Sequence, residues 1–484
     1  MLQKLYLSTL ILTTMFTLTY AQTPQKSAIQ ANGILLYQAK KTASNLSQIL
    51  SEGNFYGRLR NNNFYFSYDH EDSGHEDNLV AGTGISLIYR SARFSGFDFD
   101  IGAYAAHSFF NENKLNDYSH LKAAKDTLSR AKFVNGGSHN LFVLGQANLN
   151  YTYKQIHFTL GRQLVDTFYT KSNDTKMVPN TFDGFVLKMQ DIPKSNILFA
   201  YLTKQKLRDH EKSHSVFMVG DANSSTATHP EWTQNDDSAM HKGLTYSALV
   251  AAGKPTDAPL IVFDITNTSI QNLKINFAAY SVPQLLSQTM GELNYKLNFK
   301  NFSITPGFRY IQQFDNGAGA VGGASLKADT TAYNNPNSLD AQMIAARVVT
   351  KFEDYKLNLA YTNILDKADL VTPWRGFPTS GYTRSMGMYN WQANTKSYRL
   401  ELVKGANASG IYKTPFIQTS ILYIDGDERK SVADSMFYYA GIVQNLPSLP
   451  AFQYRLRLGY REFIHDTFFI SNYVDSRLEF NYLF

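Results

Sequence analysis

Arg455 and Arg457 stand two residues apart in Tyr454-Arg455-Leu456-Arg457-Leu458. That spacing puts both guanidinium groups on one face of an extended chain and the apolar residues on the other. Arg309, Arg399 and Arg461 sit in the same kind of alternation, as do Arg90, Lys188, Lys274, Lys296 and Lys356, with Asp98, Asp100, Glu401 and Glu479 as acidic partners. Basic groups outnumber acidic ones in this set, so its chemistry is the attraction of carboxylates or other small anions rather than bond making. For any single charge the alternative is that it merely solvates a polar wall and is neutralised across it. Arg455 and Arg457 together favour a basic ladder.

Bond-making chemistry finds few residues. The chain has no Cys, which removes disulfides, thiolate nucleophiles and Cys-based metal sites. It contains no HExxH, no GxSxG elbow and no dinucleotide fingerprint after a strand, and no cofactor is expected. Asp69-His70-Glu71-Asp72 with His75-Glu76-Asp77 crowds acids and imidazoles that could hold a divalent cation, or bridge the cations of surface lipopolysaccharide; a solvated acidic loop explains the same residues. Gly317 to Ala324 is glycine-rich but lacks a following Gly-Lys-Ser/Thr, so it reads as a flexible loop.

The elements that must position the arginines are strands. In the last residues Leu478, Phe480, Tyr482 and Phe484 alternate with Arg477, Glu479, Asn481 and Leu483. Such a strand shows lipid an apolar, aromatic face and keeps a largely polar one for a wet interior. A chain ending inside a strand on Phe also looks like the C-terminal assembly signal of bacterial outer-membrane barrels, with Phe480, Tyr482 and Phe484 as its residues. At the other end, Lys4, an apolar run from Leu5 to Leu18 and Thr19-Tyr20-Ala21 read as a signal peptide, residues 1–21. Nothing later offers about 20 continuous apolar residues, so any membrane crossing falls to strands.

Composition agrees. The chain is 43% hydrophobic with 33 Phe and 31 Tyr scattered in short alternating runs, which suits girdles and a thin apolar band. Its formal net charge of +6 is mild and gives no reason to expect a nucleic-acid partner.

Alternating pairs recur, joined by a few residues, with long polar joins between pairs. Ile85-Leu87-Tyr89 leads to Phe97-Phe99-Ile101, and a join from about Asn111 to Asn140 leads to Leu149-Tyr151-Tyr153, which turns at Lys154-Gln155 into Ile156-Phe158-Leu160. Leu293, Tyr295, Leu297 and Phe299 turn at Lys300-Asn301; Phe437, Tyr439 and Val443 turn at Pro447 to Pro450 into Phe452 and Tyr454. Reading every alternating run as a strand gives about 19, an odd count that bacterial single-chain barrels rarely adopt. Walks from both ends conflict only at Gly243 to Gly253, which is therefore assigned to an external excursion from about Lys204 to Ala258, while Leu260, Val262, Asp264 and Thr266 form an imperfect strand. The expected fold is an all-β, transmembrane, antiparallel β-barrel of about 18 strands over residues 53–484, with short periplasmic turns and long external loops.

Gly53-Asn54-Phe55-Tyr56-Gly57-Arg58-Leu59-Arg60, followed by Phe64-Tyr65-Phe66, resembles the first strand of the OprD-type porins. Leu160-Gly161-Arg162-Gln163, then Asp174 to Pro179 and Phe182-Asp183-Gly184, is similar to the same family. The resemblance implies an 18-stranded barrel, monomeric or trimeric, whose third external loop folds inward opposite a wall ladder of basic residues. It nominates Arg162, Asp174 and Lys176 for the pore constriction, facing the basic ladder that alternation alone reads at Arg309, Arg399, Arg455, Arg457 and Arg461. Where the family tends to have Arg, Lys176 keeps the charge but not the forked geometry. Residues 22–52 match no wall strand and read as a periplasmic or plug-like extension.

Two function classes follow. One is an outer-membrane channel of a Gram-negative bacterium for small hydrophilic solutes, with carboxylates, amino acids or other anions as the candidate favoured solutes and with lipid, lipopolysaccharide and the barrel assembly machinery as partners. The other is a non-conducting barrel acting as an adhesin or lipid-modifying enzyme, for which no Ser and His pair is nominated by motif.

Overall fold

The computed structural model describes residues 28–31, 33–71, 75–112, 127–129, 132–133, 137–172, 177–218, 220, 239–464 and 471–484. The cleavage expected after Ala21, and the residues Asp72, Asp174 and Lys176, lie outside the described residues.

Period-2 alternation in this chain builds a closed antiparallel barrel, with 18 wall strands among the described residues. The outward face of Tyr355–Ile364 shows why the pattern works, since Tyr355, Leu357, Leu359 and Tyr361 point the same way and Leu357 and Leu359 are exposed. Rings at both ends of such strands pair with neighbours: Phe352 on Tyr355 at 5.3 Å and Phe299 on Phe302 at 4.6 Å by the short turns, Tyr361 on Tyr398 at 5.0 Å nearer the other rim. Two aromatic girdles with leucine between them are what a bilayer selects. Closure satisfies the backbone: Tyr473–Leu483 pairs with Asn54–Tyr68, Leu478 opposite Asn63 and Leu483 opposite Arg58, leaving no open sheet edge.

Rim asymmetry follows the expected plan. Lys154-Gln155, Lys300-Asn301 and Glu353-Asp354 are tight turns on one rim, and the joins 207–259, 316–340 and 365–394 are long loops on the other. Two joins depart from it. Residues 283–285 make a three-residue turn on the long-loop rim, and residues 405–415 make a longer one on the short-turn rim. The second has a partner: Ala31 N donates to Gly410 O at 3.0 Å. Gly243 to Gly253 is outside the wall, as the strand count requires, and holds a short helix, Tyr246–Ala251, capped by Thr245. Leu260–Asn267 is a regular wall strand, paired on both sides.

The chain before the wall enters the short-turn end of the barrel. Ala28–Ile29 and Leu35–Leu36 form a small antiparallel pair, and Asn445 and Gln453 both donate to Ile29 O at 2.9 Å. Ile29 and Leu35 pack with lumen-facing Tyr56, Ile88 and Leu483. Lys40 then pairs with Asp98 and Asp100, and the helix Leu46–Ser51 lies on the outer side, where Tyr89 Oη donates to Leu50 O at 2.6 Å.

Loops fill much of the lumen. Lumen-facing Val186, Ala200, Leu202, Val262, Ala278, Tyr280, Met290 and Met343 form one core with loop residues Tyr169, Phe217, Leu249, Val371, Trp374 and Trp391. Trp374 is the hub: its ring sits 4.8 Å from Tyr280, and its Nε1 donates to Val216 O at 2.6 Å. Asp369 ties the loops to one another by accepting from Leu326 N, Ala393 N and Tyr333 Oη, each at 2.8 Å. Burial raises the pKa of this carboxyl although the three donors oppose the shift.

Candidate functional site in the barrel lumen

Each ladder arginine faces the lumen from a strand whose other face is apolar. Arg399 and Glu401 alternate with exposed Tyr398, Leu400 and Leu402, and their side chains meet at 2.8 Å. Arg457 binds Glu479 across the strand pair at 2.8 Å, and Arg455 approaches the same carboxylate at 3.7 Å. Arg477 pairs with Asp475. Arg309 donates from Nε to Glu292 at 2.8 Å, and Arg347 lies 3.6 Å from that carboxylate. Arg461 donates to Ser435 Oγ at 3.1 Å and stacks on Phe463 at 4.3 Å. Glu479 and Glu401 are therefore shared acceptors, each serving two cations, since Lys356 also lies 3.9 Å from Glu401. Such sharing neutralises part of the wall and leaves it net positive.

The third external loop, between Ile156–Gln163 and Thr181–Met189, packs inside the lumen at both of its described ends. One end is fixed by Tyr169 against Tyr280 at 4.8 Å, by Phe168 N donating to Asp264 at 2.6 Å, and by a bridge from Thr170 to Arg375. At the other end Met177 and Val178 pack against Tyr56, Ile88, Tyr104 and Val143 on the opposite side of the wall. Gly84 makes room for Met177, whose sulfur would lie 2.7 Å from a Cβ at that position. Beneath the loop lies a cavity of about 380 Å³, lined by Asp166, Lys171, Lys188, Asp264, Glu292 and Arg309 among others. Arg309 closes its roof, donating to Pro378 O and Ser380 O at 2.7 and 2.8 Å with its guanidinium 4.9 Å from the Phe168 ring.

Other residues singled out in the sequence fall elsewhere. Arg162 lies opposite Ala147 and Asp183, on the strand face that carries exposed Leu160 and not on the lumen face. Its Nε and Nη2 bind the two Asp183 oxygens at 2.7 and 3.0 Å, and Nη2 also reaches Ser213. Asp98 and Asp100 face inward as expected, but Lys40, which the sequence pattern gave no reason to select, takes both, along with Arg93 and Arg90. Phe437 and Tyr439, expected to face lipid, turn into the lumen opposite Arg461 and Gly459; Met386 and Met388 of an infolded loop cover them, so their apolar surface is dry on the inner face. Phe484 extends the last ladder by exchanging backbone bonds with Gly57 at 2.8 and 2.9 Å, and its ring lies where any Cβ on Gly57 would collide. Phe480 stacks on Phe452 at 5.9 Å, and Tyr482 stands opposite Leu59 and Phe452.

Around the acidic loop, Asp77 accepts from Tyr68 N at 2.7 Å and from Ser67 and Tyr65, while Glu71 accepts from Asp77 N at 2.9 Å. These carboxylates organise a turn. Among the described residues no group of three or more His, Asp or Glu is arranged to hold a metal.

No family model and no curated protein matches the chain. Solved structures do. OccAB3 of Acinetobacter baumannii is 13% identical, with 90% of this chain and 99% of that one covered at a TM-score of 0.68. OccK8 (OprE) of Pseudomonas aeruginosa is 12% identical over 90% and 99% at 0.66, and the outer membrane protein OpdK of the same species 11% identical over 89% and 98% at 0.64. At such identities the likeness is one of fold, and the fold this chain shares is the closed 18-stranded barrel of the OprD/Occ outer-membrane porins.

Proposed function

We propose that this chain is an outer-membrane porin of a Gram-negative bacterium, a channel for passive diffusion of small hydrophilic solutes with a preference for carboxylates or other anions. The observation that carries the reading is the row of lumen-facing cations, Arg309, Arg399, Arg455 and Arg457, backed by shared carboxylates and facing a loop packed inside the barrel. Confined charge of one sign raises the local concentration of the opposite ion. OpdK has been solved with vanillate, a carboxylate, which agrees with a ligand of that class.

In this reading residues 1–21 are a signal peptide, 22–52 a segment lodged at the periplasmic mouth, and the third loop the constriction, to which Asp174 and Lys176 belong by sequence. Arg162 serves as a rim tether for Asp183 rather than as a constriction group. Phe484, Tyr482 and Phe480 address the nascent strand to the barrel assembly machinery, and the assembled unit is a monomer or homotrimer in lipid and lipopolysaccharide.

Planar-bilayer recording of the purified protein in a potassium chloride gradient tests the proposal. Discrete conductance steps with a reversal potential on the anion side are expected. An assembled, heat-modifiable protein that carries no current would leave a non-conducting barrel instead.

A further inference from the structure

The ring of lumen cations has a gap. Between the strand that carries Arg399 and the one that carries Arg455 and Arg457 lie Phe416–Asp425 and Ser435–Asn445. Their lumen faces present Gln418, Ser420, Leu422 and Ile424 on one and Phe437, Tyr439 and Val443 on the other, with no charged side chain. A loop covers this sector. Met386 and Met388 pack on Leu422, Ile424, Phe437 and Tyr439. On one side Tyr382 O accepts from Arg399 at 3.4 Å. On the other, a Cβ at Gly387 would lie 3.5 Å from Asp475 Oδ2 and 3.8 Å from Arg477 Nη2.

Arg384 stands within that covering segment. Its guanidinium is 4.7 Å from the Phe377 ring, 5.3 Å from Tyr389 and 5.9 Å from Trp391, and among the described residues it makes no ion pair with a carboxylate. Its Nε and the neighbouring Ser385 Oγ are buried donors without a hydrogen-bond partner. Arg399 and Arg477 beside it have acids in Glu401 and Asp475; this one has aromatic faces and a backbone carbonyl. Burial, with Arg375, Arg477 and Arg399 as like-charged neighbours and Tyr389 opposing, pushes its pKa down to about 10, so it stays protonated at neutral pH. A half-buried cation with an open donor is costly until an anion arrives.

We propose that Arg384, flanked by Arg399 and Arg477, is a binding site for a small carboxylate, a rung of the ladder supplied by the infolded loop where the wall supplies none. The inference rests on the channel reading and deepens it. A carboxylate accepts two bonds from a guanidinium in one plane, so the forked group selects it over a spherical anion. Because the rung is on a loop, the site is separable from the wall: solute affinity at this point depends on how residues 382–388 are seated.

The test is block of single-channel chloride current by benzoate, recorded for wild type, Arg384→Gln, Arg384→Lys and the wall variant Arg399→Gln/Arg455→Gln/Arg457→Gln, each checked for heat-modifiable migration. A hydrogen bond to a charged group contributes about 1.5–3 kcal/mol, so Arg384→Gln is expected to raise the half-blocking concentration about tenfold or more. Arg384→Lys, which keeps the charge and loses the fork, should fall between. Block that weakens in the wall variant but is unchanged in Arg384→Gln and Arg384→Lys overturns the loop rung and leaves the channel reading intact. Wild-type current without benzoate block or anion preference removes both. If Arg384→Gln does not assemble, the lysine variant alone decides, since a site that does not use the fork would leave its block at the wild-type value.

Discussion

The lumen face of this barrel is two surfaces. From Thr181–Met189 round to Tyr355–Ile364 it is apolar in its upper part, with Val186, Ala200, Leu202, Val262, Ala278, Met343 and Ala360 under packed loops. On Thr395–Lys404, Phe452–Phe463 and Tyr473–Leu483 it is built of arginines and shared carboxylates. The difference teaches that inside a wide barrel a residue's polarity follows what covers it. An inward valine is stable where Trp374 sits on it, and an inward arginine where water and carboxylates do.

The sharpest way to break the comparison is to remove the loop that joins the two surfaces. Replacing residues 166–178 by a short Gly-Ser linker frees the lumen between Tyr280 and Tyr56, and single-channel conductance should rise roughly twofold or more, because a constriction rather than the wall limits flow. Unchanged conductance in an assembled variant would mean that the narrowest point lies elsewhere.

On the arginine side, changing Arg399, Arg455 and Arg457 together to Gln should move the reversal potential towards cations. Screening over about 8–10 Å at ordinary salt makes the shift largest in dilute electrolyte. An anion preference that survives all three changes at low salt would reduce the ladder to ordinary wall residues.

The apolar side predicts a different symptom. Trp374→Ala removes a fully buried ring and its bond to Val216 O, a change that costs about 3–5 kcal/mol in a packed core. Wall strands do not depend on that ring, so heat-modifiable migration should persist while open-channel noise and protease cleavage within residues 207–259 and 365–394 increase. Loss of the barrel itself would show that the loop core and the wall fold as one unit.

These contrasts also mark what was legible beforehand. Wall strands could be read because lipid imposes one rule on every outward residue, and Leu478, Phe480 and Tyr482 obey it. Parity then placed Gly243 to Gly253 outside, since a closed antiparallel wall returning to its starting rim needs an even count. Phe437 and Tyr439 were misplaced because alternation cannot separate lipid from a loop seated in the lumen, and Met386 and Met388 are about 50 residues away in the chain. Arg162 resisted for a related reason: its strand face is decided by registration against Ala147 and Asp183, which no local pattern shows. Lys40 and Arg384 lie in segments with no period at all, so only three-dimensional proximity to Asp98 or Phe377 reveals them.

The smallest predicted effect tests whether the loop core is held by polar as well as apolar contacts. Buried His241 lies in the long loop before Leu260–Asn267; its Nε2 donates to Gly323 O at 3.0 Å and its Nδ1 accepts from Gly243 N at 3.2 Å, which requires the neutral ring. Burial lowers its pKa to about 4, against a usual value of 6.5, although the bond to Gly323 opposes the shift. Between these values the unfolded loop binds a proton that the folded loop refuses, so stability falls as pH drops from about 6.5 to about 4 and is level below that. Protonation would also set an N–H against the Gly243 N–H. Protease sensitivity of residues 239–259 should therefore rise on acidification through that window in the wild type, and His241→Gln should flatten the dependence. A variant with the same pH profile as the wild type would assign the acid response to another group.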